Sequence, residues 1–234
     1  YPVDMVIGRQ NIVLGEGFIV MDGHPLDGSR SIYFNALRLD CRLNSHHRLT
    51  AFYSYQEETD DWLPVLNDRI QSLVERPEEG LGLYYSGEKD RIGIQAYYVR
   101  KNVDSNRIVP VEESINAIGG RLSCPFRDDL TGVIEGAYQF GKRNDSDRGA
   151  SGGYAYLKFE PPWSPPRFFL PRTITVGGIY LSGDDPQTDD YEGWDPMFAR
   201  WPKWSESYIY TQIKEDFVAW WTNLISIYGT VQFA

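Results

Sequence analysis

The sequence predicts an all-β fold: an antiparallel up-and-down meander of about ten strands, part of a transmembrane β-barrel of porin-like type. Three observations lead there. Segments of roughly 8 to 16 residues alternate apolar and polar side chains with a period of two. The joints between them alternate short and long, with the long ones rich in acid, as in barrels whose hairpins are tight at one rim and extended at the other. No run approaches the ~18 consecutive apolar residues of a membrane helix, while strands of about ten residues suit a tilted membrane span.

Taken in order, 3–14 opens with Val3-Asp4-Met5-Val6-Ile7 and leads into a long joint, 15–29. Segment 30–43 has the clearest alternation. Tyr33, Leu37, Leu39, Cys41 and Leu43 take one face, broken by Asn35, and Ile32, Phe34, Ala36, Arg38, Asp40 and Arg42 take the other. After a tight joint at Asn44-Ser45-His46-His47, 48–56 sets Leu49, Ala51, Tyr53 and Tyr55 against Arg48, Thr50, Phe52, Ser54 and Gln56. The long joint 57–79 includes 66–74, whose spacing suits a short helix. Strands 80–87 and 91–100 flank a tight joint, and 101–112 is long. Strands 113–123 and 129–141 follow, the second with Ile134, Gly136, Tyr138 and Phe140 opposite Glu135, Ala137 and Gln139. A long joint is expected at 142–150. Segment 151–160 then sets Ala155, Leu157 and Phe159 against Tyr154, Tyr156, Lys158 and Glu160. The proline-rich joint 161–170, strand 172–182, the long joint 183–217 and strand 218–233 complete the series. Gly119, Gly120, Gly177 and Gly178 suggest bends or bulges.

Net charge is −10, which argues against a nucleic-acid partner. Joints 57–79 and 183–217 together carry −12, so the rest of the chain is slightly basic at +2. Cys41 and Cys124 make neither a disulfide framework nor a metal site and read as small hydrophobes. His46 and His47 are neighbours in a turn, a poor metal pair, and no catalytic constellation is legible, so no enzymatic activity is expected. Periodicity leaves two readings of the faces. A barrel puts the apolar face in lipid and the charged face in its lumen. A soluble carbohydrate-binding β-sandwich, suited by Trp-rich acidic loops, reverses them. Strand length and joint asymmetry favour the barrel, because soluble strands usually run about five or six residues.

Two sets of residues carry a resemblance. The first is Gly8-Arg9-Gln10, then Gly15-Glu16-Gly17, then Phe34-Asn35-Ala36-Leu37-Arg38-Leu39. The second is Tyr180-Leu181-Ser182-Gly183-Asp184-Asp185-Pro186 followed by Trp194-Asp195-Pro196-Met197-Phe198. In this order they resemble the alginate-export family of outer-membrane β-barrels. The resemblance implies a barrel of about eighteen strands in a Gram-negative outer membrane. Residues 1–234 are then expected to be a single-domain central portion lacking strands at both ends. It also implies a passive channel for an anionic or polar solute, such as an alginate-like polysaccharide, with outer-membrane lipid and lipopolysaccharide as its surroundings.

The expected pore-lining residues are Arg9, from the Gly-Arg-Gln motif, with Arg38, Asp40, Arg42 and Arg48, joined by Glu135, Gln139, Tyr154 and Lys158. Guanidinium groups in a pore attract carboxylates, although Arg38 and Arg42 flanking Asp40 also suit a purely structural ion-pair ladder. No cofactor is expected. Asp184, Asp185, Asp189 and Asp190 are candidate Ca²⁺ ligands, though their spacing departs from the EF-hand loop and an acidic solvated loop is the commoner outcome.

Overall fold

A computed structural model describes residues 2–21, 34–58, 76–162, 170–199 and 222–233. Alternating side chains drive these residues into strands, and no helix occurs among them. The elements are β1 (Val3–Gln10), β2 (Val20–Met21), β3 (Phe34–Arg42), β4 (His47–Gln56), β5 (Glu78–Lys89), β6 (Ile92–Val103), β7 (Glu113–Arg127), β8 (Leu130–Arg143), β9 (Ser146–Phe159), β10 (Pro171–Leu181), β11 (Phe198–Ala199) and β12 (Leu224–Phe233). The helical spacing at 66–74 lies outside the described residues.

Ten strands form one antiparallel meander in the order β1-β3-β4-β5-β6-β7-β8-β9-β10-β12. Among the described residues the sheet is not closed, and β1 and β12 are its two edges. The other sheet among the described residues is a parallel pair, β2 with β11, joining Phe198 to Val20 and Ala199 to Met21. Strands β5 to β9 run 12 to 15 residues, well beyond the usual soluble length.

Joint length departs from expectation at 142–150. There β8 and β9 extend until they meet in a tight turn at Asn144, which takes a left-handed φ of 50°. Charges assigned to that joint are cross-strand partners instead: Lys142 faces Asp147 with Nζ–Oδ1 at 2.8 Å. The four glycines are not bulges either, because pairing runs through them unbroken. Register shifts occur beside Pro125 and Pro171, where proline has no N–H to give the ladder.

The two faces differ in kind. Leu37, Leu81, Leu83, Ile94, Ile118, Ile134, Tyr138, Phe140, Leu157, Val176, Ile225 and Ile227 project from one face, all exposed. The other, inner face carries Asp40, Thr50, Ser54, Gln56, Lys101, Glu113, Glu135, Gln139 and Arg148, all buried. What buries them is the chain itself. Segments 11–21 and 191–199 lie against the inner face and place Ile12, Phe18, Ile19, Val20, Trp194, Met197 and Phe198 in a core with Phe52, Tyr97, Ile115 and Tyr154.

Candidate functional site

Glycines make room for these two segments. A Cβ on Gly152 would stand 2.7 Å from the Trp194 ring, and one on Gly80 would stand 2.5 Å from that of Phe198. Trp194 is further stacked on Phe18, with centroids 5.3 Å apart, which binds the segments to each other.

Segment 191–199 is fastened through Asp195. Lys101 Nζ donates to Asp195 Oδ1 at 3.0 Å and to the Met197 carbonyl at 2.9 Å. Gln139 closes a two-way clasp on the Asp195 backbone, donating to its carbonyl at 2.6 Å and accepting from its N–H at 3.0 Å. Burial opposes charge on the Asp195 carboxyl, but Lys101, Arg148 and the Met197 N–H outweigh it and hold the group below the ordinary carboxylate range. Nearby, Arg148 Nη1 donates to the Gly193 carbonyl at 2.9 Å and Nη2 to Glu113 at 3.2 Å. Arg143 and Arg148 also lie over the Tyr191 ring, at 4.1 and 4.7 Å from its centroid.

Segment 11–21 is fastened through Glu16. Gly15 and Gly17 flank it at φ of 59° and 81°, left-handed values that glycine accepts without strain. The resulting turn drives the Glu16 carboxylate into the wall. There it pairs with Arg121, accepts from Tyr156 at 2.7 Å and lies 3.2 Å from the Tyr154 hydroxyl. Glu135 completes the cluster, accepting from Tyr154 at 2.6 Å and Tyr97 at 3.2 Å, with Arg121 Nε at 4.0 Å. Toward the tight-turn end, Ser86, Gln95, Arg121, Ser123 and Thr131 line a polar cavity of about 560 Å³.

Most expected lining residues lie on the inner face. Arg38 is committed to Asp40, with Nε–Oδ2 at 2.6 Å, and Asp40 also accepts from Thr50 at 2.6 Å. Arg42 reaches Asp4 at 3.2 Å, Arg48 stands across from Arg42, and Lys158 pairs with Glu160 at 3.0 Å. Glu135, Gln139 and Tyr154 are buried beneath the two segments. Arg9 is a correction. It pairs with Asn35 and donates to its Oδ1 at 3.2 Å, which puts it on the face of Leu37 and Leu39. A motif match cannot tell odd from even positions on a strand; the register can.

The acidic loop is organised by turns. Asp184 accepts from the Glu192 N–H at 2.9 Å and Asp185 from the Gln187 N–H at 3.0 Å. Neither these two nor Asp189 and Asp190 join a group of three metal-ligating side chains among the described residues. Of the tryptophans in or beside the long acidic joints, Trp194 is core; Trp62, Trp201, Trp204, Trp220 and Trp221 lie outside the described residues.

Sequence reasoning missed Glu16, Arg121, Tyr156, Lys101 and Asp195 as site residues. The available signals were a glutamate between two glycines and a Trp-Asp-Pro turn, each read only as part of a motif. No family model, curated protein or solved structure matches this chain.

Proposed function

We propose that this chain is part of the wall of an outer-membrane channel of the alginate-export, porin-like type. It would sit in the lipid and lipopolysaccharide of a Gram-negative envelope and pass an anionic or polar solute, such as an alginate-like polysaccharide, by diffusion rather than chemistry. The observation that carries this reading is the exposed apolar face of the meander. Soluble monomers rarely expose more than a few hundred Å² of contiguous apolar surface, whereas here apolar side chains project from every strand of the large sheet. On β8 the outward residues from Leu130 to Phe140 are bounded above by Lys142. Ten steps of about 3.3 Å at a tilt near 40° span roughly 25 Å, the height of the apolar band on outer-membrane barrels. Among the described residues the outer edges of β1 and β12 have no partner strand, which suits a sheet that continues in a longer barrel.

The inner face supports the choice of solute. Arg38, Arg42, Arg48, Arg121 and Lys158 all lie on it, and charge in a narrow low-dielectric channel acts strongly on a passing ion. The test is planar-bilayer recording of the full-length protein. Replacing Arg38 and Arg42 together by Ser should lower anion over cation selectivity at low salt. The difference should fade in 1 M salt, where screening shortens to about 3 Å. Unchanged selectivity would leave those arginines as partners of Asp40 and Asp4 alone. Release of the protein from membranes without detergent would refute the channel.

A further inference from the structure

Glu16 reaches the wall from a segment outside the large sheet, and the wall meets it with a matched set of donors. Arg121 projects from β7 and Tyr156 from β9. A guanidinium beside a phenol suits a carboxylate whatever molecule carries it, because charge-assisted hydrogen bonds are the strong ones. Glu16 fills the set here, as a ligand would. We infer that Arg121 and Tyr156 form a carboxylate-binding subsite of the inner wall, bordered by Tyr154, whose hydroxyl is given to Glu135. Glu16 is its resident occupant, and a solute carboxylate displaces it.

Three features of the geometry support exchange. The Glu16 side chain keeps 28% of its surface exposed, and Arg121 also lines the polar cavity beyond it, so the subsite is open from the tight-turn end. The Gly15–Gly17 turn gives Glu16 a backbone on which it can swing without breaking a strand. Glu135, held by Tyr97 and Tyr154, stays in the wall when Glu16 leaves and offsets much of the Arg121 charge. The vacated subsite therefore binds a carboxylate without trapping it, which a conducting path requires. An uncharged solute gains little by entering, since it would replace the Glu16 carboxylate, the nearer partner of Arg121, with a neutral group. Displacement frees the 11–21 segment from one of its fastenings, so occupancy and opening of the inner face are coupled. This use in transport rests on the channel reading; the binding itself does not.

The test uses the full-length protein in detergent, with glucuronate as the probe and glucose as its uncharged counterpart. Glu16→Ala should melt lower than the parent. Glucuronate should bind that variant about tenfold tighter or more, since no internal carboxylate competes, and should restore its melting temperature. Glucose should do neither. Adding Arg121→Met to Glu16→Ala should abolish the response. If that double variant does not fold, Tyr156→Phe in the Glu16→Ala background should weaken glucuronate binding severalfold. Equal glucuronate affinity in parent and Glu16→Ala overturns the inference, as does a response that survives loss of Arg121 or is unchanged by Tyr156→Phe. Planar-bilayer recording separates the two readings. Conductance whose glucuronate sensitivity is the same in parent and Glu16→Ala refutes the subsite and leaves the channel. Glucuronate binding that follows the pattern above in a protein without conductance supports the subsite and refutes the channel.

Discussion

Lys101 on β6 holds Asp195 at 3.0 Å, and through that pair the sheet wall grips a segment from near the other end of the chain. Both side chains are largely shielded, at 10% and 17% exposure, so neither charge can turn to bulk water when the other is lost. Breaking such a pair by removing one partner typically costs about 3–5 kcal/mol, much of it from the stranded charge. Lys101→Met should therefore destabilise the protein on that scale in urea unfolding from detergent. Adding Asp195→Asn should recover part of the loss. A double variant no more stable than Lys101→Met would mean that the stranded Asp195 charge is not the source of the cost.

Acid should loosen the same fastening. The Asp195 carboxyl titrates below its ordinary value when folded, because Lys101 and Arg148 overcome burial. An unfolded aspartate titrates near pH 3.9, so the stability it contributes is fully present above that and is lost as pH falls through the lower folded value. Melting temperatures taken from pH 6 down to about pH 3 should fall less steeply for Asp195→Asn than for the parent. Parallel curves would remove Asp195 from the acid response.

The outward face makes a prediction whose sign separates lipid from water. Ile134 is 57% exposed at the middle of the apolar band on β8. In a bilayer, Ile134→Arg should cost about 2–4 kcal/mol of folding stability into lipid vesicles. On a water-facing surface the same change would be neutral or would improve solubility. A soluble, well-folded Ile134→Arg protein would thus argue for the aqueous alternative.

Gly152 tests the seat of Trp194. A Cβ there would meet the indole at 2.7 to 2.9 Å, and the ring cannot retreat freely because Phe18 is stacked on it. Gly152→Ala should cost about 1–3 kcal/mol by overpacking and should raise single-channel conductance as both segments shift. Unaltered conductance with the expected loss of stability would mean that the segments do not limit flow.

The meander was legible because its cause is local. Alternation along each strand, together with a tight turn such as Asn44–His46, dictates both the face and the next partner. That Leu37, Tyr138 and Leu157 take the face opposite to Arg38 and Gln139 follows from this alone. Reading failed where meaning depends on a distant residue. Lys142 and Asp147 read as loop because their pairing across a hairpin leaves no local mark. Arg9 was placed by motif, and one step of register decides its face. Glu16 and Asp195 were opaque for the same reason: their partners Arg121 and Lys101 lie about a hundred residues away in sequence, on strands whose pattern says only that a cation points inward.

The parallel bridge between Val20 and Phe198 has a consequence for assembly. Its halves flank the span from β3 to β10, so the loop closed by their meeting includes nearly the whole sheet. Contacts of such separation reward the chain only after the intervening order has been achieved. The wall must therefore be laid down first, as a wet and unblocked trough, with its interior filled at the final step. Any factor that delays the last step would lengthen the time for which the polar inner face stands open to solvent.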